Sequence, residues 1–223
     1  HPALTGKVVS EACYSSDDLF GPLSPTCPNG ATSSVAPNSG LPCPSNNTGC
    51  DHGTHVAHIA ATVAPGANII AIQVFSISRD RFLISSSCKD AAQTSPCIRT
   101  RTSDYLRGLN RVYALRNTYD IVAVNMSLGG GKYAGVCDSA ESSTKTTVDL
   151  LRSAGIATVV ATGNSGHVDG ISKPACLSNV ISVGSVNSAT FIAPADLMAA
   201  HTNISPVTTL LAPGNQINAA IPL

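Results

Sequence analysis

Two runs of small and β-branched residues constrain this chain more than anything else in it. Asp120 to Leu128 contains Ile-Val-Ala-Val-Asn-Met-Ser-Leu, and Ile156 to Thr162 reads Ile-Ala-Thr-Val-Val-Ala-Thr; each stops at a glycine, Gly129 and Gly163. A continuous apolar strand is one buried on both faces, and such strands belong to parallel sheets, whose crossovers lay helices on either side. Helices are expected where those crossovers need them. Leu106, Leu109, Val112, Tyr113 and Leu115 repeat at helical spacing behind the candidate N-cap Ser103, and a further helix is expected from about Thr144 to Ala154. An Ala64-Pro65-Gly66-Ala67 turn leads into another strand, Asn68 to Phe75. This alternation predicts an α/β fold of three layers, α/β/α, with a mostly parallel sheet. The 223 residues are read as one domain, long enough to bury roughly 70% of the unfolded surface.

A histidine opens an earlier helix. Asp51-His52-Gly53-Thr54-His55-Val56-Ala57 leads into a small and apolar run (Ile59, Ala60, Ala61, Val63), which places an imidazole at the first turn of a buried helix. There the positive end of the helix dipole disfavours imidazolium and keeps the ring neutral, as a general base must be. Taken alone, such a histidine is more often a satisfied core residue. His52, His55 and His58 also recur every three residues, but zinc sites usually draw on a carboxylate or cysteine at fixed spacing, as in His-Glu-x-x-His, which is absent here. No metal and no cofactor are expected.

From His52 to Ala57 the chain resembles the subtilases, the subtilisin-like serine endopeptidases, whose motif reads His-Gly-Thr-His-Val-Ala-Gly; His58 stands in place of the final glycine. Asn125-Met126-Ser127-Leu128-Gly129-Gly130 matches another family segment at every position. The resemblance implies that Ser127, Leu128 and Gly129 pair with an extended substrate and form one wall of the main specificity pocket. Gly155 to Asn164 is similar to the family's Gly-Ile-x-Val-Val-x-Ala-Ala-Gly-Asn. It implies that Asn164 donates its amide to the oxyanion of the tetrahedral intermediate, a neutral, rigid donor aimed at charge that exists only near the transition state. Ala161, Thr162 and Gly163 would form the opposite wall, Thr162 replacing the usual alanine. Later landmarks, Pro174-Ala175-Cys176, Val180 to Gly184 and Leu211 to Ile217, follow in family order. The short Ala61-Thr62-Val63-Ala64 stretch leaves no room for the calcium-binding insertion many members carry.

The resemblance thus implies a subtilisin-like fold and endopeptidase acyl transfer on a polypeptide substrate by a monomer, with His52 as base. It also implies a nucleophile motif just after Leu223 and an aspartate motif just before His1, so the chain is expected to be part of a peptidase domain, inactive alone. Asp17 and Asp18 lie in a polar loop without the small-residue turn of the aspartate motif and read as solvated carboxylates. The rival from another class is a secreted subtilase-like pseudoenzyme or peptide-binding protein that keeps the groove without the chemistry. An esterase or transferase on a similar sheet would usually show a Gly-x-Ser-x-Gly turn, which is missing.

Composition closes off other functions. Thirteen basic residues balance thirteen acidic ones, and Arg79, Arg81, Arg99, Arg101 and Arg107 lack interleaved aromatic residues, so they read as a solvated face and not as a nucleic-acid site. The most apolar stretch, Val56 to Phe75, is broken by His58, Pro65, Asn68 and Gln73, short of the roughly 20 clean residues of a membrane helix. No membrane association is expected. Eight cysteines without a Cys-x-x-Cys pair argue for disulfides and a secreted protein. Cys88 and Cys97 suit a local bridge, worth roughly 3 kcal/mol in the chain-entropy account. Cys137 and Cys176, in loops that follow neighbouring strands, are expected to pair, leaving Cys13, Cys27, Cys43 and Cys50 to pair among themselves in an N-terminal loop region spanning residues 1–50.

Overall fold

The computed structural model describes residues 1–18, 21–43, 47, 49–80, 87–89, 93–188 and 196–222. The chain divides into two compact units, His1–Arg111 with Ala219–Leu223, and Val112–Asn218. The first unit opens with a 3-10 turn at Pro2–Leu4 and continues through β1 (Val8–Tyr14), β2 (Leu23–Ser24), β3 (Ser33–Ser34), α1 (His52–Val63), β4 (Ile69–Gln73), β5 (Ser76–Ser78), β6 (Cys97–Arg99) and α2 (Thr102–Leu115). The division between the units falls within α2. β1 pairs with β4 in parallel and with β3 antiparallel, while β2, β5 and β6 form a separate antiparallel sheet.

β1 corrects the reading of residues 1–50 as loop. Val-Val-Ser-Glu-Ala-Cys-Tyr has no clean alternation, and its conformation comes from pairing with β4, distant in sequence. Around it the chain is stapled. Cys13–Cys27 and Cys43–Cys50 bridge within this region, and Cys88–Cys97 closes a local loop, with Cα separations of 5.5, 5.1 and 5.8 Å. The Glu11 carboxylate accepts from the Asn38 and Gly40 backbone N–H groups at 2.6 and 3.3 Å. Gly40 has little room for a side chain, since a Cβ there would sit 2.8 Å from that of Ala71.

The arginines are not merely a solvated face. Arg101 Nη2 reaches both oxygens of Asp18 at 2.6 Å, so Asp18 is paired where the sequence alone leaves it solvated; Asp17 is exposed. Arg99 donates to Ser87 O and to Gln93 Oε1 at 2.7 Å, and Arg107 lies 4.8 Å over the Tyr14 ring and donates to Thr32 O. A forked guanidinium can satisfy loop carbonyls that have no ladder partner. Arg81 lies outside the described residues.

The apolar helix is not buried either. No residue of α1 is buried, and Val63 is 81% exposed. Its main neighbours are the Pro2–Leu4 turn and β4, too little surface to cover an apolar cylinder.

The second unit holds β7 (Ala123–Met126), β8 (Gly130–Tyr133), α3 (Ser142–Ser153), β9 (Ala157–Ala161), β10 (Ile171–Lys173), β11 (Ile181–Asn187) and β12 (Leu210–Asn215). Its main sheet runs β12-β11-β9-β7 with every pairing parallel, the α/β arrangement the sequence predicts. β8 and β10, which follow β7 and β9 in sequence, form a separate antiparallel pair. α3 buries Thr144, Thr147, Val148 and Leu151, a single helical stripe, and packs on β9, where Val160 is fully buried. Beyond β8 and β10, Cys137 and Cys176 are bridged with their Cα atoms 5.3 Å apart.

β7 departs from expectation. It is shorter than Asp120–Leu128 and not buried on both faces, for only Met126 is buried and Val122 is 72% exposed. Among the described residues it is the edge strand, paired with β9 on one side only.

Leu151 and Leu150 make a matched test of this packing, being 0% and 43% exposed on one helix. Leu151→Ala should lower the unfolding free energy by about 2–5 kcal/mol, whereas Leu150→Ala should cost less than about 1 kcal/mol. Denaturant midpoints at constant m-value measure both.

Candidate active site

His52 is the first residue of α1 and is half-buried. Its backbone N–H donates to Gly49 O, while the carbonyl of Asp51 accepts from Thr54 and His55. Asp51 makes no side-chain cap; its carboxylate lies 3.8 Å from His55 Nε2. Burial pushes the pKa of His52 below its ordinary 6.5, the charge of His55 acts in the same sense, and Asp51 opposes both. A ring that stays neutral keeps a lone pair for a proton, which is the property of a base. One turn on, His58 Nδ1 accepts from the Ala220 backbone N–H at 3.2 Å. The imidazole at the family's glycine position therefore ties α1 to the segment 219–222.

The remaining sequence-derived residues meet in the second unit. β7 and β9 run parallel with Met126 opposite Val160, so Ser127-Leu128-Gly129 and Ala161-Thr162-Gly163 lie at the same end of the sheet. Ser127 Oγ accepts from Asn125 Nδ2 at 3.0 Å. Gly129 is exposed and backed by β10, where a Cβ would come 2.7 Å from Lys173 O. Thr162 is 1% exposed; its N–H donates to Val183 O, and its hydroxyl would lie 3.6 Å from a Cβ placed on Gly184. Gly163 has φ of 109°, a conformation that side chains other than hydrogen rarely adopt. Asn164 follows it, exposed at the turn.

Two residues without a sequence signal underpin this end of the sheet. Ser172, in β10, donates its N–H to Thr162 O at 2.8 Å and its hydroxyl to Gly131 O at 3.2 Å, linking the two strand ends. Asn203, fully buried, bonds to the turn on both sides of Asn164. Thr-Asn-Ile-Ser reads as any polar turn, and only contacts spanning 31 to 41 residues distinguish it. Among the described residues no cluster of three or more His, Cys, Asp or Glu could hold a metal ion.

Comparison with known proteins gives the family. The model of the family described as "Subtilase family" matches residues 23–222. The chain belongs to the subtilase family. Subtilisin-like protease 1 of Pseudogymnoascus destructans is 32% identical over 174 residues, 76% of this chain and 35% of the relative. Subtilisin-like protease 2 of Trichophyton equinum is 30% identical over 135 residues, 60% of this chain and 27% of the relative. This subtilase chain therefore spans about a third of the length of the curated relatives it matches. Among solved structures, the protease domain of PatA in a point-mutant form superposes with a TM-score of 0.62 at 22% identity, covering 100% of this chain and 65% of that one. A lanthipeptide protease gives 0.58 at 16% identity, covering 98% and 52%. At such identities the likeness establishes the subtilase fold.

The lowered pKa of His52 has a defined consequence for pH. Between the lowered value and 6.5 the folded chain binds fewer protons than the unfolded one, so stability falls as pH drops through that window and is unaffected above it. A proton NMR titration, with His52→Gln to assign the resonance, should give a His52 midpoint below 6.5. A midpoint at or above that value would contradict the burial argument.

Proposed function

We propose that this chain is the part of a subtilisin-like serine endopeptidase that carries the general base, His52, and the oxyanion donor, Asn164. In this reading a serine outside the 223 residues attacks the peptide carbonyl, His52 takes its proton, an aspartate outside them orients His52, and Asn164 receives the developing oxyanion. Ser127-Leu128-Gly129 and Ala161-Thr162-Gly163 would hold the extended polypeptide between them. The observation that carries the proposal is the end of the sheet where β7 and β9 stop together in a family member, with an exposed Asn164 at its turn. The coverage of 35% of a relative and the uncovered apolar surface of α1 support further segments of the parent chain packing on this one. Disulfides, typical of oxidising compartments, support an extracellular protein, and no described helix is long and apolar enough to cross a membrane.

Two measurements test this. An active-site serine probe should leave the 223 residues unlabelled and should label the parent chain; labelling of the segment would assign the nucleophile to one of its own serines, and an unlabelled parent would favour the pseudoenzyme. In the parent, Asn164→Leu should lower kcat with KM nearly unchanged, because the donor acts mainly in the transition state. The expected loss of about 10² to 10³ is the value established for the same donor in subtilisin and is adopted from there. An unchanged kcat would remove Asn164 from the mechanism.

A further inference from the structure

We infer that Asn203 is a positioning residue, a buried clamp that holds the Asn164 turn in register for catalysis; the inference rests on the reading of Asn164 as oxyanion donor. Asn203 is 0% exposed. Its Oδ1 accepts from the backbone N–H groups of Ser165 and His167 at 2.9 and 3.1 Å. Its Nδ2 donates to Thr162 O at 3.2 Å and to Ser172 Oγ at 3.4 Å. Its own backbone N–H donates to Gly163 O at 2.9 Å. Side chain and backbone of Asn203 together thus grip the chain before and after Asn164, while Asn164 itself is left exposed.

The chemistry of the grip singles out a primary amide. Two backbone N–H groups can only donate, which fixes the oxygen toward Ser165 and His167; a carbonyl can only accept, which fixes the nitrogen toward Thr162. Aspartate has the shape but would turn an acceptor toward the Thr162 carbonyl and bury a charge. The turn lies hard against the clamp, since a Cβ on Gly163 would overlap Asn203 Nδ2 and Ser172 Oγ. Flanking bonds, Gly166 N to His201 O and Ile204 N to His167 O, join the same two segments at 2.8 and 2.7 Å. An oxyanion donor works only if it is held at hydrogen-bond distance from a position occupied in the transition state, so loosening its turn should act on turnover more than on substrate binding.

The test compares Asn203→Ala, Asn203→Ser, Asn164→Ala and the Asn203→Ala/Asn164→Ala double variant in the parent enzyme. Asn203→Ala should lower kcat about 10- to 100-fold, the scale of a misplaced catalytic group, with KM changed less than about twofold. Asn203→Ser, which keeps one acceptor and one donor, should recover part of the loss. In the Asn164→Ala background the Asn203→Ala loss should largely vanish, because a clamp has nothing left to position. A purely structural asparagine would instead multiply the two losses. Unchanged kcat in folded Asn203→Ala, or an equal loss in both backgrounds, overturns the inference. If Asn203→Ala does not fold, Asn203→Ser decides: wild-type kcat in it overturns the inference as well. Should Asn164→Ala itself leave kcat unchanged, the donor assignment fails and the clamp fails with it; should only Asn164→Ala reduce kcat, the donor stands and the clamp alone is lost.

Discussion

Parallel pairing of β7, β9, β11 and β12 is the constraint on which the second unit depends. Parallel strands bring like ends together, so the glycine turns after β7 and β9 emerge side by side whatever their sequences. The register with Met126 opposite Val160 does the rest. It sets Ser127-Leu128-Gly129 alongside Ala161-Thr162-Gly163 without requiring the loops to have any structure of their own.

Loops at such an end still need anchoring, and here the anchors are polar and buried. Ser172 ties the end of β9 to the strand after β7. Glu141, 8% exposed, accepts from Lys173 Nζ at 2.7 Å and from Thr144 Oγ1, joining α3 to β10. The Cys137–Cys176 bridge fastens the same neighbourhood covalently. Buried polar groups of this kind are costly unless satisfied, and once satisfied they admit few alternative geometries.

The first unit solves a different problem. Its N-terminal stretch holds few long elements, and order comes from cross-links: disulfides, the Glu11 carboxylate on two backbone N–H groups, and arginines on carbonyls and on Asp18. α1 begins on backbone bonds alone, the His52 N–H donating to Gly49 O with no side-chain cap from Asp51. Partial burial is enough to depress the His52 pKa, so the ring is biased toward its neutral form by its surroundings alone.

Much of this was legible in the sequence, because it is local. Apolar runs ending at Gly129 and Gly163, the helical stripe of α2, and the order of the family motifs are all patterns within a few residues, and side-chain periodicity reads them directly. Other features were not. β1 takes its strand from a partner far along the chain, β7 is half-open because it lies at an edge, and Asp18 and the arginines are paired by folding, not by spacing. The sequence by itself determined the chemical identities, an imidazole at the start of α1 and a neutral amide at Asn164. Only the tertiary structure decided what surrounds the Asn164 turn: Asn203 accepts from the Ser165 N–H, 38 residues away, and no local pattern encodes a bond whose partners meet only when the chain has folded.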